Sequence, residues 1–174
     1  MVVLHTPRLR LEPFHERHLD GLNVLNSDPV VMRYIGGTET LEETRAVIAR
    51  VQARWAEWGY SWWTFLDRTT DEVVGAGCLQ HLDRDASKPH EIGWRLRPAD
   101  WGRGFATEAA TAIVDFAFDT VGAPVVFAVA DPANTASTRV MQRLGMTSVG
   151  LERHYDKLLA AYRLDPAEWR ARRR

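Results

Sequence analysis

The sequence predicts an α+β, or mixed α/β, domain on three observations. Strand-like runs come mostly first, helix and strand then alternate, and no linker-like stretch divides the chain. At 174 residues the chain fits one core, so residues 1–174 are read as a single domain. Hydrophobic residues make up 45% and charged ones 26%, a balance that supports a buried interior and argues against disorder.

The elements follow in order. RLRLEPF alternates Leu9 and Leu11 with Arg8, Arg10 and Glu12, which fits a strand with one wet face ended by Pro13. In HERHLDGLNVLN, Leu19, Leu22 and Leu25 recur every third residue, near one side of a short helix that Gly21 weakens. TLEETRAVIARVQARWAEW carries Thr40 and Glu43 at capping-box spacing, then Val47, Ile48, Val51, Trp55 and Trp58 as one stripe, with Gly59 as the stop. SWWTFL and EVVGAGCLQ read as antiparallel neighbours joined across DRTTD. EIGWRLR is a further strand with Ile92, Trp94 and Leu96 on one face and Glu91, Gly93 and Arg95 on the other. A helix beginning near Ala106 or Thr107 carries Ala106, Ala109, Ala110, Ile113, Val114 and Ala117 along a broad apolar face that should be buried. PVVFAVA is an internal strand, NTASTRVMQRLG a helix capped by Gly145, and KLLAAYRL the last strand before a polar end.

Lys and Arg number 22 against 23 Asp and Glu, so a generally basic nucleic-acid-binding surface is not expected. The terminal run around Arg170, Arg172, Arg173 and Arg174 reads as a solvated tail. Cys78 is the sole cysteine, which excludes an intrachain disulfide and suits a small buried strand residue. With neither a signal-like leader nor a long apolar run, the expectation is a soluble cytoplasmic protein without membrane contact.

The stretch WGRGFATE, Trp101 to Glu108, lies where strand EIGWRLR gives way to the next helix. Gly102 and Gly104 remove side chains from the point where the first orphan amides of the helix face outward, and Arg103 and the helix dipole favour negative charge. GxxxxGK[ST] is absent and GxGxxG is not completed, so the common nucleotide loops do not apply. A phosphate cradle and a close-packed helix start both remain open on this spacing.

Four pieces, TPRLRLEPF, SDPVVMRYIGG, EIGWRLRPADWGRGFATEA and DPANTASTRVMQRLGM, occur in an order that resembles the GNAT family of N-acetyltransferases. The resemblance is strongest to its RimJ/RimL-type branch of ribosomal-protein N-terminal acetyltransferases. It implies a mainly antiparallel twisted sheet with a splayed parallel pair, flanked by helices. Acetyl-CoA would enter the splay as cosubstrate, its pantetheine pairing like an added strand along Trp94 and Leu96. Its pyrophosphate would meet Trp101, Gly102, Arg103, Gly104, Phe105 and Ala106. The family usually has Gln or Arg where this chain has Trp101, a variation common in the RimJ/RimL-like branch. Asn134 would hydrogen-bond the cofactor, and Ser137 would contact it and assist thiolate departure.

Acetyl transfer to an amine needs a neutral amine, a polarised carbonyl and a proton route, and much of the rate can come from positioning. Glu91, at the start of the cleft-lining strand, is the base or amine-orienting candidate, with His90 and His81 behind it. Asn134 and Ser137 also stand at helix-cap spacing, a structural role that can coexist with a cofactor role. Where many relatives carry an acidic tyrosine, this chain has Met141, which cannot donate a proton; nothing in the spacing of Tyr155 puts it near sulfur. Tyr34, Trp62, Trp63 and His81 are acceptor-side candidates. A regular strand sends Trp62 and Trp63 to opposite faces, so one of them supports the core; Trp63 is assigned with Tyr34 and His81 to the acceptor.

The expected function is therefore acetyl-CoA-dependent N-acetylation of a primary amine, favouring a protein or peptide N-terminal α-amine, without a metal. Acetylation of a small amine or aminoglycoside, transfer of another acyl group, and a non-catalytic acyl-CoA-binding module are the alternatives. The expected partners are the amine substrate and, as an option, a second copy in a homodimer; nucleic acid and membrane are not expected.

Overall fold

The structure, a computed structural model, describes residues 1–173; Arg174, the last of the basic run, lies outside the described residues. The described residues form a sheet with strand order β1-β2-β3-β4-β5-β6-β8-β7. The strands are β1 (Leu4–His5), β2 (Leu9–Pro13), β3 (Trp62–Asp67), β4 (Val73–His81), β5 (His90–Leu96), β6 (Val126–Ala130), β7 (Thr147–His154) and β8 (Lys157–Leu164). The helices are α1 (Leu19–Asn26), α2 (Pro29–Met32), α3 (Leu41–Trp58), α4 (Phe105–Asp115), α5 (Thr135–Leu144) and α6 (Pro166–Arg172). β1–β2, β2–β3, β3–β4, β6–β8 and β7–β8 pair antiparallel, whereas β5 and β6 pair parallel. That parallel register covers only His90↔Val126 and Glu91↔Phe127, so the pairing ends just after Glu91. The mixed, mainly antiparallel sheet expected from the sequence is present.

The chain forms two compact units. The first comprises Met1–Cys78 and Trp94–Ala112. Its α3 starts as expected: Thr40 Oγ1 accepts from the Glu43 amide at 3.2 Å, and the Glu43 carboxylate accepts from the Thr40 amide at 2.7 Å. Two otherwise unmatched helix-start donors are thereby satisfied. Thr40→Ala is expected to lower stability by about 1 kcal/mol. A urea titration should show a lower midpoint with an unchanged slope. Ile48, Val51 and Trp55 are the buried side of this helix, and the Trp55 ring meets Trp63 edge-on at 5.0 Å while its Nε1 donates to the Trp62 carbonyl at 3.1 Å.

The second unit comprises residues 79–93 and 113 onward. Val126, Ala128 and Leu164 are buried on one face of its sheet and Ala161 on the other, and α5 ends at Gly145 as expected. Among the described residues no helix is long and apolar enough to cross a membrane.

Several expectations are corrected. The wet face assigned to β2 is closed at Glu12, which is buried and ion-paired with Arg10 (2.6 Å) and Arg17. The short helix expected in HERHLDGLNVLN is present as α1, with Leu19, Leu22 and Leu25 buried; what the sequence reading lacked is the 3-10 turn, Glu16–His18, that precedes it. α4 begins at Phe105, one residue earlier than read, because the buried Phe105 ring anchors its first turn. β8 has a partner the sequence reading missed: β7 is almost wholly exposed, so no alternation of apolar and polar residues marks it. The polar end is not simply a solvated tail. Asp165 and Glu168 form a second capping box that starts α6, Trp169 is buried with its Nε1 donating to Asp115 Oδ1 at 2.8 Å, and Arg173 pairs with the same Asp115.

Candidate active site

In the first unit, β5 ends at Leu96, and a 3-10 turn, Pro98–Asp100, leads into the glycine loop. Gly102 and Gly104 have φ of 74° and 83°, a left-handed backbone that side chains disfavour. A Cβ at Gly102 would meet nothing within 4 Å, and one at Gly104 would meet only Arg8 Nη2 at 3.4 Å. The protein itself therefore leaves the outer side of this loop open. The Glu108 amide donates to the Gly104 carbonyl at 3.0 Å, so the helical ladder opens at Gly104, and the amides just after it have no intrahelical acceptor. Thr107 Oγ1, in the same turn, is buried without a hydrogen-bond partner. An open loop, a left-handed pair of glycines and unmatched donors at a helix start fit an anionic phosphate group.

The side chains around the loop are committed. Arg103 donates to Asp100 Oδ1 at 2.7 Å and lies 3.6 Å from Asp67 Oδ2, so its charge is met by protein carboxylates. Trp101 is half-exposed, and its indole donates to the Leu96 carbonyl at 3.0 Å. Phe105 is buried between the guanidinium groups of Arg8 and Arg103, at 4.7 and 4.3 Å from its ring centre, and offers a ligand only its backbone.

Sequence reasoning missed the brace behind this loop. Arg8 Nη1 donates to the Arg103 carbonyl at 2.8 Å. The Glu108 carboxylate accepts from Thr6 Oγ1 at 2.6 Å, from the Arg8 amide at 2.8 Å and from Arg8 Nε at 2.7 Å. Burial pushes the Glu108 carboxyl upward, but Thr6 and Arg8 together hold it below its ordinary value and therefore ionised. The N-terminal TPRL segment thus fixes the loop from about a hundred positions away.

In the second unit, Glu91 is buried, with 6% of its surface exposed, at the last paired position of β5 with β6. Gln80 Nε2, from β4, donates to Glu91 Oε2 at 3.2 Å, and the Tyr155 hydroxyl donates to the same oxygen. Burial dominates and drives the Glu91 carboxyl up to about 7, while the bonds from Tyr155 and Gln80 pull the other way. Glu91 is the one sequence-assigned catalytic residue with a strongly shifted proton equilibrium. Tyr155, dismissed on spacing, is its direct partner.

The loop after β4 supports that pair. Asp83 Oδ1 accepts the Tyr155 amide at 2.6 Å, and its Oδ2 meets Lys88 Nζ at 2.6 Å and His154 Nδ1 at 2.9 Å. Burial works against the Asp83 charge, yet these donors hold its carboxyl at about 2. The two His154 nitrogens face Asp83 and Glu152, which raises its pKa above the ordinary value despite partial burial. His81 and His90 stack at 4.8 Å, and burial followed by the neighbouring His81 lowers His90.

On α5 in the same unit, Asn134 Oδ1 accepts the Ser137 amide at 3.2 Å, the capping role read from the sequence. Met141 is buried, so an apolar side chain stands where an acidic tyrosine was sought. Of the acceptor candidates, Trp63 is corrected: it is fully buried, and its Nε1 donates to the Val2 carbonyl at 2.8 Å. Alternation tells that Trp62 and Trp63 face apart but not which one the core takes; Trp62 is the one left half-buried, with Arg95 over its ring at 4.6 Å. Tyr34 is half-buried beneath Arg33, and His81 Nδ1 donates to the Lys88 carbonyl at 2.8 Å.

Among the described residues, a mixed sheet whose parallel β5–β6 pair parts after two positions, with an open glycine loop following β5, has the arrangement expected of an acyl-transferring enzyme. Residues 8–147 match the family described as the acetyltransferase (GNAT) domain, and the chain belongs to that family. It is 30% identical to the uncharacterized N-acetyltransferase p20 of Bacillus licheniformis over 90% of this chain and 89% of that protein. An acetyltransferase structure from Agrobacterium tumefaciens superposes with a TM-score of 0.82 at 28% identity, covering 94% of each chain. RimL, a ribosomal L7/L12 α-N-protein acetyltransferase solved in complex with coenzyme A, shares the fold at a TM-score of 0.80 and 17% identity, covering 94% of this chain and 98% of that one. The chain is accordingly an acetyl-CoA-dependent N-acetyltransferase that acts on an amine.

Proposed function

We propose that residues 1–174 form one N-acetyltransferase domain whose favoured acceptor is the α-amine of a protein or peptide N-terminus, with Glu91 as its base. The observation that carries the base assignment is a buried carboxyl, held near neutrality, on the strand that leads to the glycine loop. Such a group is ionised often enough at neutral pH to accept a proton and basic enough to hold it. The RimJ/RimL-like reading of TPRLRLEPF and WGRGFATE, together with the shared RimL fold, supports the N-terminal acceptor.

The amides of Gly102 to Ala106 would hold the donor's pyrophosphate, and the backbone at Trp94 and Leu96 its pantetheine. Acetyl-CoA, when bound, supplies a thioester carbonyl open to attack by an amine. Glu91 takes the proton that the attacking nitrogen must lose. Asn134, whose Oδ1 caps α5, would also hydrogen-bond the cofactor, and Ser137 would offer its hydroxyl to the departing sulfur on a helix where Met141 has no proton to give. Tyr34 and His81 serve the acceptor.

Acetyl-CoA consumption measured against peptides with free N-termini, polyamines and aminoglycosides tests the acceptor. Peptides are expected to be consumed fastest, and peptides with a blocked N-terminus not at all. Turnover confined to polyamines or aminoglycosides would exclude the peptide reading.

A further inference from the structure

We infer that Tyr155 is a positioning residue for Glu91: with Gln80 it ties down Oε2, presents Oε1 to the acceptor amine, and sets the pH range in which that atom takes a proton. This deepens the reading of Glu91 as base and rests on it.

The geometry gives each hydrogen a place. Gln80 Nε2 is a donor only, and it lies 3.1 Å from the Tyr155 oxygen as well as 3.2 Å from Glu91 Oε2. The phenol oxygen therefore accepts from Gln80, and its own hydrogen is directed to Oε2. Two donors converge on one carboxylate oxygen, which locks the carboxylate plane and assigns proton uptake to the other. When the amine nitrogen gives a proton to Oε1, the carboxylate becomes a neutral acid, and the phenol stays protonated throughout.

Tyr155 is delivered to this position by a constrained turn. β7 and β8 are joined by two residues, Tyr155 and Asp156, with φ of 51° and 59°, a left-handed pair built here without glycine. Asp83 holds the Tyr155 amide, and Asp83 is itself held by Lys88 and His154. Backbone in this region persists when its surroundings over-determine it, as these bonds do. Arg84 lies over the Tyr155 ring at 5.6 Å, where a cation strengthens the phenol as a donor. The charged and titratable groups around Glu91 and Tyr155 are thus Asp83, Arg84 and Lys88 from the loop after β4, Glu152 and His154 from β7, and the stacked His81 and His90.

The test is Tyr155→Phe in the full chain, with the Glu91 carboxyl followed by carbon NMR in protein without donor and kcat/KM followed against pH. Removing a donor to the charged form should raise the Glu91 titration, and with it the acid limb of the rate profile, by about one pH unit. The activity loss is then about tenfold below that limb and small above it. Loss of mere packing would instead lower activity by one factor at every pH. Gln80→Leu, which leaves the turn untouched, should move both readouts in the same direction. A folded Tyr155→Phe protein in which Glu91 titrates as in the wild type overturns the inference. Full turnover in Glu91→Gln overturns the base reading itself, a result distinguishable because the NMR titration does not depend on turnover.

Discussion

Glu91→Gln is expected to lower kcat/KM for amine acetylation at neutral pH by about 10²- to 10³-fold while leaving acetyl-CoA affinity unchanged, because a positioned base contributes on that scale. The same substitution has an opposite effect on stability. The Glu91 carboxyl stands at about 7 in the folded chain against an ordinary value of 4.5. Below 4.5 it is protonated in both the folded and unfolded chain and costs nothing. As pH rises towards 7 the unfolded chain ionises first, so stability falls, and above 7 the full penalty is reached, about 3 kcal/mol at most. Glutamine cannot ionise. Denaturant titrations should therefore find Glu91→Gln more stable than the wild type at pH 8 and nearly equal to it at pH 4. A stability difference independent of pH would show that burial of Glu91 carries no such penalty.

Gly104→Val is the second large effect. Its φ of 83° is strained for any side chain and most of all for a branched one, while the added Cβ meets only the far end of Arg8. The fold should survive, and the first-turn amides should lose their common direction. Hydrogen bonds from such amides to a charged phosphate are worth about 1.5 to 3 kcal/mol each, so acetyl-CoA binding should weaken by about 100-fold. Calorimetric titration of the variant, with its folding checked by circular dichroism, reads this directly. Unchanged affinity in a folded protein would remove the loop from the donor site.

Much of this was legible in the sequence where the information is local. The Thr40–Glu43 box, the stripe of α3 and the Gly145 cap are written within a few residues of the structures they form. The glycines of the loop announced a backbone that only a turn or a close ligand requires. Glu91 was legible by its place on β5, but its properties were not. They depend on Gln80 and Tyr155, 11 and 64 positions away, and no periodic pattern encodes a polar pairing across such a separation. The Arg8–Glu108 brace was invisible for the same reason. Trp63 failed differently: alternation fixes opposite faces but leaves undecided which face is the interior. The capping box at Asp165 and Glu168 was legible, yet the arginines around it drew the reading towards solvent.

β7 runs along the margin of the sheet with Val149 and Leu151 exposed. Ser148 is opposite Tyr162 and Gly150 opposite Ala161, so Val149 is an extra residue in the ladder, and Gly150 follows at φ 98°. A neighbouring extended chain would meet evenly spaced donors and acceptors on one side of this bulge and a shifted set on the other. The kink therefore works against cross-β self-association along a margin whose apolar side chains would otherwise invite it. Straightening it, by deleting Val149 to restore even pairing, would make that margin a better template for aggregation than the native chain presents.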